Sequence, residues 1–147
     1  MNAAKLAARA LDLLGPHEGP IVIEAPRAKR LLAALAAAGR IASSKDAPIA
    51  AVIVFLGMRA SPTERQAALG VLRDRLPEGA PIVLVDHNQP RNPWRRVLAF
   101  APLAIAGLPP TRARYPAARE LATQGFTIRN LRLANGERIQ LVSAIRK

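Results

Sequence analysis

The sequence predicts an α/β domain built on a mostly parallel, doubly wound sheet that ends in an antiparallel hairpin. Three observations carry that expectation. Short, nearly continuous apolar runs around Ile21-Val22-Ile23, from Pro48 to Phe55 and from Ile82 to Val85 read as strands covered on both faces. Between them lie segments with apolar residues at helical spacing, the alternation that builds parallel sheets with helices on both sides. Near the C-terminus two β-rich runs flank Asn135-Gly136, the strongest short-range hairpin signal.

Composition bounds the rest. The chain has 147 residues, half of them apolar, and no Ser/Gly-rich linker, so residues 1–147 are read as one domain with a real core. With no cysteine there can be no disulfide, thiolate metal ligand or cysteine nucleophile, and two histidines alone do not make a zinc site; no metal is expected. Met1 to Leu14 places Lys5, Arg9 and Asp12 on one helical face, unlike a signal peptide, so a cytoplasmic location is expected. Net charge is +12, and of 22 basic residues four are lysine, the others arginine, the side chain that grips phosphate and carboxylate bidentately. An acidic or nucleic-acid partner is one reading of that charge; a solvated arginine-biased surface is the other.

The first helix runs from Ala3 to Leu14, with Leu6, Ala10, Leu13 and Leu14 on one stripe, and Gly15-Pro16 stops it. Ile21-Val22-Ile23 then leads through Glu24-Ala25 to Pro26, and Leu31, Leu32, Leu35 and Ala36 mark a helix that ends at Gly39. In open α/β sheets a ligand sits at the carboxyl ends of the strands, so a small-molecule site is expected at this turn. The turn holds no glycine. Arg27, Lys29 and Arg30 occupy the first helical turn instead, where the helix dipole attracts anions, which makes phosphate or nucleotide binding chemically sensible without a supporting motif. Arg40 to Ser44 is expected to form a very short strand, and the ten or so residues before the next apolar run are too few for a strand-helix-strand crossover.

After the Pro48 to Phe55 strand, Ser61, Pro62 and Glu64 form a capping-box start to a helix whose apolar face is read as Ala67, Ala68, Val71 and Leu72 and whose end is Leu76. The Ile82 to Val85 strand closes on Asp86-His87-Asn88. His87 beside Asp86 suits a general base, but no nucleophile accompanies the pair, so a loop or capping role is the favoured reading and no catalytic residue is assigned. Ser43-Ser44-Lys45 lacks the glycines of a phosphate loop, and the aromatic residues are too scattered for a stacking platform on single-stranded nucleic acid.

From His87 to Arg119 there are six arginines (Arg91, Arg95, Arg96, Arg112, Arg114, Arg119) and no acidic residue. Asn92-Pro93 starts a helix that Pro102 would kink, and the apolar stretch Val97 to Leu108 is too short to span a bilayer. Trp94-Arg95-Arg96 suits a membrane interface or an acidic partner; a helix capping the protein's own sheet, or a subunit interface, is the commoner use of such a segment. Arg91, Trp94, Arg95 and Arg96, with Arg27, Lys29 and Arg30, are the anion- or partner-binding candidates. A last helix spans Pro116 to Gln124 and ends at Gly125. The hairpin strands are Phe126 to Leu133 and Arg138 to Ile145, and the change of alternation phase between Ile128 and Leu131 predicts a bulge near Arg129-Asn130.

The succession LGMRASPTERQAALGVLRDRLPEGAPIVLVDH, a helical insertion bearing arginine and proline, and YPAARELATQGFTIRNLRLANGERIQLVSAIR resembles the C-terminal half of class I S-adenosylmethionine-dependent methyltransferases, over roughly Pro48 to Arg146. The resemblance implies a shortened Rossmann-like methyltransferase fold in which the last strand enters the sheet antiparallel. The sheet order it implies is the short second strand, then the first, fourth and fifth, then the hairpin. It assigns Glu24, Ala25, Gly57 and Asp86 to the cofactor if the site is retained. The chain departs from the family where Ala25-Pro26-Arg27-Ala28 replaces the glycine-rich turn and where one strand and its helix are missing, leaving Asp46 as the sole acid in that interval. The expected function is accordingly that of a noncatalytic, partner-binding protein with no cofactor, self-associating as a homodimer or holding another protein through residues 94–108. The alternative is an active methyltransferase using S-adenosylmethionine in a remodelled or partner-completed site.

Overall fold

Ala50–Val54 and Pro81–His87 are apolar on both faces and buried almost throughout, so they can only lie at the centre of a covered sheet. The structure, a computed structural model, describes residues 2–25, 28–38, 47–56, 61–105 and 116–147. In chain order its elements are α1 (Ala3–Leu14), β1 (Ile21–Glu24), α2 (Lys29–Ala38), β2 (Ala50–Val54), α3 (Pro62–Arg75), β3 (Pro81–His87), α4 (Pro93–Ile105), α5 (Pro116–Thr123), β4 (Phe126–Ala134) and β5 (Ile139–Arg146). The sheet order is β1-β2-β3-β5-β4. β1, β2 and β3 are parallel, with Ile21 opposite Ala50 and Ala51 opposite Ile82. β5 then runs antiparallel to both β3 and β4.

The two faces are filled differently. Leu6, Ala10 and Leu14 of α1 and Leu31 and Leu35 of α2 pack on one face with Val52, Val54, Val83 and Val85. Leu69 and Leu72 of α3 and Ala117 and Leu121 of α5 pack on the other with Ile53, Ile82, Leu84 and Val142. Alternate residues of β2 and β3 thus serve opposite layers, as the period of two requires.

Local signals set several element ends. Glu64 Oε2 accepts from the Ser61 N–H at 2.6 Å while Ser61 Oγ accepts from the Glu64 N–H at 3.2 Å, the reciprocal pair of a capping box. Gly15, at φ 82°, stops α1 and donates its N–H to the Leu11 carbonyl. The hairpin turns through three left-handed residues, Asn135, Gly136 and Glu137, and the expected bulge falls between Ile128 and Asn130.

Two expectations need correction. α3 seats only in part on Ala67, Ala68, Val71 and Leu72: Leu72 is buried and Ala68 packs against the core, but Ala67 and Val71 face solvent. It buries Arg65, Leu69 and Leu72, and Val71 is 61% exposed. The helix is rotated because Arg65, a charged residue, finds buried carboxylates against the sheet and so takes a place in the inward stripe at i, i+4 and i+7. Nor does α4 cap the sheet: Trp94, Val97, Leu98 and Ile105 are exposed. Both faces already have helices on them, so no uncovered apolar layer is left for α4 to close. The strand expected at Arg40 to Ser44 lies outside the described residues, among which β1 is the edge of the sheet.

Candidate functional site

Parallel strands bring their carboxyl ends to one side of the molecule, which places Glu24 and Ala25, Phe55 and Leu56, and Asp86 to Asn88 along one rim. On the α1/α2 side of that rim lies a cleft of about 630 Å³, lined by Leu6, Ala28, Lys29, Arg30, Leu56 and Ile139 among others. The first turns of α1 and α2 both open into it, so two helix N-termini share its wall. Its charged lining, among the described residues, consists of Lys29 and Arg30. A neighbouring opening of about 400 Å³ is bounded by Glu24, Ala25, Lys29 and Leu32. Glu24 is half-buried there, with Arg75 Nη1 at 3.9 Å.

Asp86 sits elsewhere. Because Val83 and Val85 face α1 and α2, Asp86 points with Ile82 and Leu84 to the α3/α5 layer. It is fully buried: its Oδ2 accepts from Arg65 Nη2 at 2.6 Å and its Oδ1 accepts from the His87 N–H at 2.7 Å. Arg65 also donates from Nε to Glu120 Oε1 and Oε2 at 3.0 and 3.2 Å and from Nη2 to Glu120 Oε2, and its Cζ lies 4.3 Å from the centroid of the Phe55 ring. Burial pushes the Arg65 guanidinium pKa down, but Asp86 and Glu120 more than offset this, so the net direction is upward and the cation is held. The network ties α3, β3 and α5 together at the rim. The sequence reading did not include this network, since its two carboxylates lie 21 and 55 positions from Arg65.

The candidates therefore separate. Glu24 and Ala25 border one opening, Lys29 and Arg30 border the cleft, and Asp86 lies in the opposite layer; Arg27 and Gly57 are outside the described residues. His87 contributes its main chain to the rim, with its carbonyl accepting from Gln140 Nε2 at 2.7 Å. Arg91 donates its N–H to Glu137 Oε2 at 2.8 Å, and Asn92 Oδ1 caps α4 by accepting from the Trp94 N–H at 2.9 Å. Trp94, Arg95 and Arg96 stand on α4, exposed. Among the described residues no cluster of three or more metal-ligating side chains forms, and no helix is long and apolar enough to cross a membrane.

No protein-family model matches the sequence, and no curated protein matches it. Solved structures do. The chain is similar to methyltransferase CalO6 (TM-score 0.57, 17% identity, covering 97% of this chain and 54% of that one). It is similar to the S-adenosylmethionine-dependent methyltransferase SibL in its apo form (0.59, 18%, 99% and 48%). It is also similar to magnesium protoporphyrin IX methyltransferase from Synechocystis PCC 6803 with bound SAH (0.59, 14%, 99% and 82%). The chain spans about half the length of the first two. At such low identity the agreement is one of architecture, and with three parallel strands followed by an inserted antiparallel strand and its hairpin partner, this chain has a shortened class I methyltransferase-like fold.

Proposed function

We propose that this is a methyltransferase-like protein with a degenerate cofactor site, and that it works by binding a partner rather than by transferring a methyl group. The observation that carries the reading is the charge of the cleft at the ligand end of the sheet. S-adenosylmethionine brings a sulfonium cation and a ribose diol that needs acceptors; the described lining offers Lys29 and Arg30 and no carboxylate. Glu24 borders the neighbouring opening with Arg75 beside it, and Asp86 is turned to the other layer and neutralised by Arg65. The sequence adds Pro26, which has no N–H to donate, and Arg27 where the fold's cofactor binders need bare backbone. The residues present do not fit this cofactor, and no methyl-transfer step is derived through them. α4, with its exposed apolar side chains, supports the binding half of the proposal.

Calorimetry with S-adenosylmethionine and with S-adenosylhomocysteine tests it. Losing three or four hydrogen bonds at about 1 kcal/mol each moves a micromolar site to the millimolar range, so neither ligand should saturate the protein. Saturable binding that Glu24→Ala weakens would restore the alternative, an active methyltransferase. Lys29, Arg30 and the two helix N-termini favour a second reading, phosphate or nucleotide binding in the same cleft, which the same titration with a nucleoside diphosphate would detect.

A further inference from the structure

We infer that α4 docks the protein on an anionic lipid surface. The inference rests on the reading of the chain as a binding protein and names what is bound. At about 100° per residue, Trp94, Val97, Leu98, Ala101, Ala104 and Ile105 fall within one sector of the helix, roughly a third of its circumference, and all six are exposed. Ala99, the only buried residue among the α4 side chains described, lies on the opposite side. Among the described side chains, α4 is buried at Ala99 and turns an apolar stripe outward. Trp94 is 80% exposed at one end and Ile105 88% exposed at the other.

The charges around the stripe choose the occupant. Arg95 and Arg96 fall outside the apolar sector, one to either side of Ala99, both exposed, and Arg96 Nε donates to the Pro90 carbonyl at 3.4 Å. No acidic residue occurs anywhere from His87 to Arg119, and the whole chain carries +12. An apolar stripe with cations on the opposite half of the helix and an interfacial tryptophan is the pattern of a helix that lies in the plane of a membrane surface: the apolar side enters the acyl boundary and the long arginine stems carry their heads to phosphate headgroups. α4 is far too short to span, and nothing in this geometry asks it to. A second copy of the chain fits less well. Two α4 helices about 20 Å long would bury well under the roughly 800 Å² per partner of a stable interface, and the pairing would bring two strongly cationic surfaces together. A bilayer needs no matching shape and supplies the opposite charge.

Trp94 is the only tryptophan, so its fluorescence reports this contact alone. The full chain is titrated with vesicles of phosphatidylcholine containing about one-third phosphatidylglycerol and, separately, with pure phosphatidylcholine. The expected result is a blue shift and co-sedimentation with the anionic vesicles only, falling steeply as salt rises. Arg95→Gln with Arg96→Gln should weaken binding roughly thirtyfold, about fivefold for each arginine near the surface. Leu98→Asp or Ile105→Asp should remove the shift while the far-ultraviolet spectrum stays unchanged, since both side chains are already in solvent. No shift with anionic vesicles, or an equal shift with neutral ones, overturns the inference. So does a blue-shifted, dimeric protein in analytical sedimentation without lipid, which would make the stripe a protein interface. These outcomes are independent of cofactor calorimetry, so failure here is distinguishable from failure of the noncatalytic reading.

Discussion

Replacing Arg65 with methionine keeps most of the side-chain volume and the contact with Phe55 but deletes the cation between two carboxylates. Asp86 then stays fully buried and loses the guanidinium from its Oδ2, with Oδ1 still accepting from the His87 N–H, while Glu120, 17% exposed, can turn partly to water. Breaking a buried pair by removing one partner costs about 3–5 kcal/mol. Glu120 retains some solvent, so the lower half of that range is expected, a large fraction of the 5–15 kcal/mol typical of a domain. Glu120→Gln should cost less, about 1–2 kcal/mol, because Arg65 keeps Asp86. Adding Asp86→Asn to Arg65→Met should recover part of the loss, since a neutral amide is cheaper to bury than a carboxylate that has lost its guanidinium. Urea unfolding followed by circular dichroism at neutral pH is the assay; guanidinium, itself a salt, would screen the interaction being measured. The reasoning fails if Arg65→Met costs less than about 1 kcal/mol, or if the double variant is no more stable than Arg65→Met alone.

Two further outcomes follow from the seat and the cap of α3. Leu69→Ala should destabilise by about 2–5 kcal/mol and Val71→Asp should change stability by no more than about 0.5 kcal/mol; urea unfolding showing the reverse order would mean that α3 packs on the face its apolar residues suggest. The Glu64 carboxyl is held below its ordinary value of 4.5 by the Ser61 N–H and, secondarily, the Ser61 hydroxyl. Since the folded value lies below the unfolded one, the contribution is full above 4.5 and is lost as pH falls from there through the folded value. Thermal melts of the wild type and Glu64→Gln should converge in acid, and a gap that widens on acidification would refute the cap.

Periodicity and turn chemistry are local, and the features they govern were legible in the residues alone. α1 follows from its apolar stripe and Gly15, the start of α3 from Ser61-Pro62 and Glu64, and the two central strands from their continuous apolar runs. The hairpin and its bulge follow from Asn135-Gly136 and the phase change after Ile128. The turn after β1 was legible as the carboxyl end of a parallel strand, and Lys29 and Arg30 border a cleft beside it. Tertiary structure alone decided the rest. Which side of α3 is inward depended on Arg65 meeting Asp86, 21 positions away, and Glu120, 55 positions away, an ion pairing that no hydrophobic period encodes. That Asp86 faces away from Lys29 and Arg30 depended on strand register, where a single residue exchanges one face for the other. That α4 stands with its apolar stripe in solvent depended on α1 and α2 already covering one face of the sheet and α3 and α5 the other, an occupancy that exists only once the chain has folded.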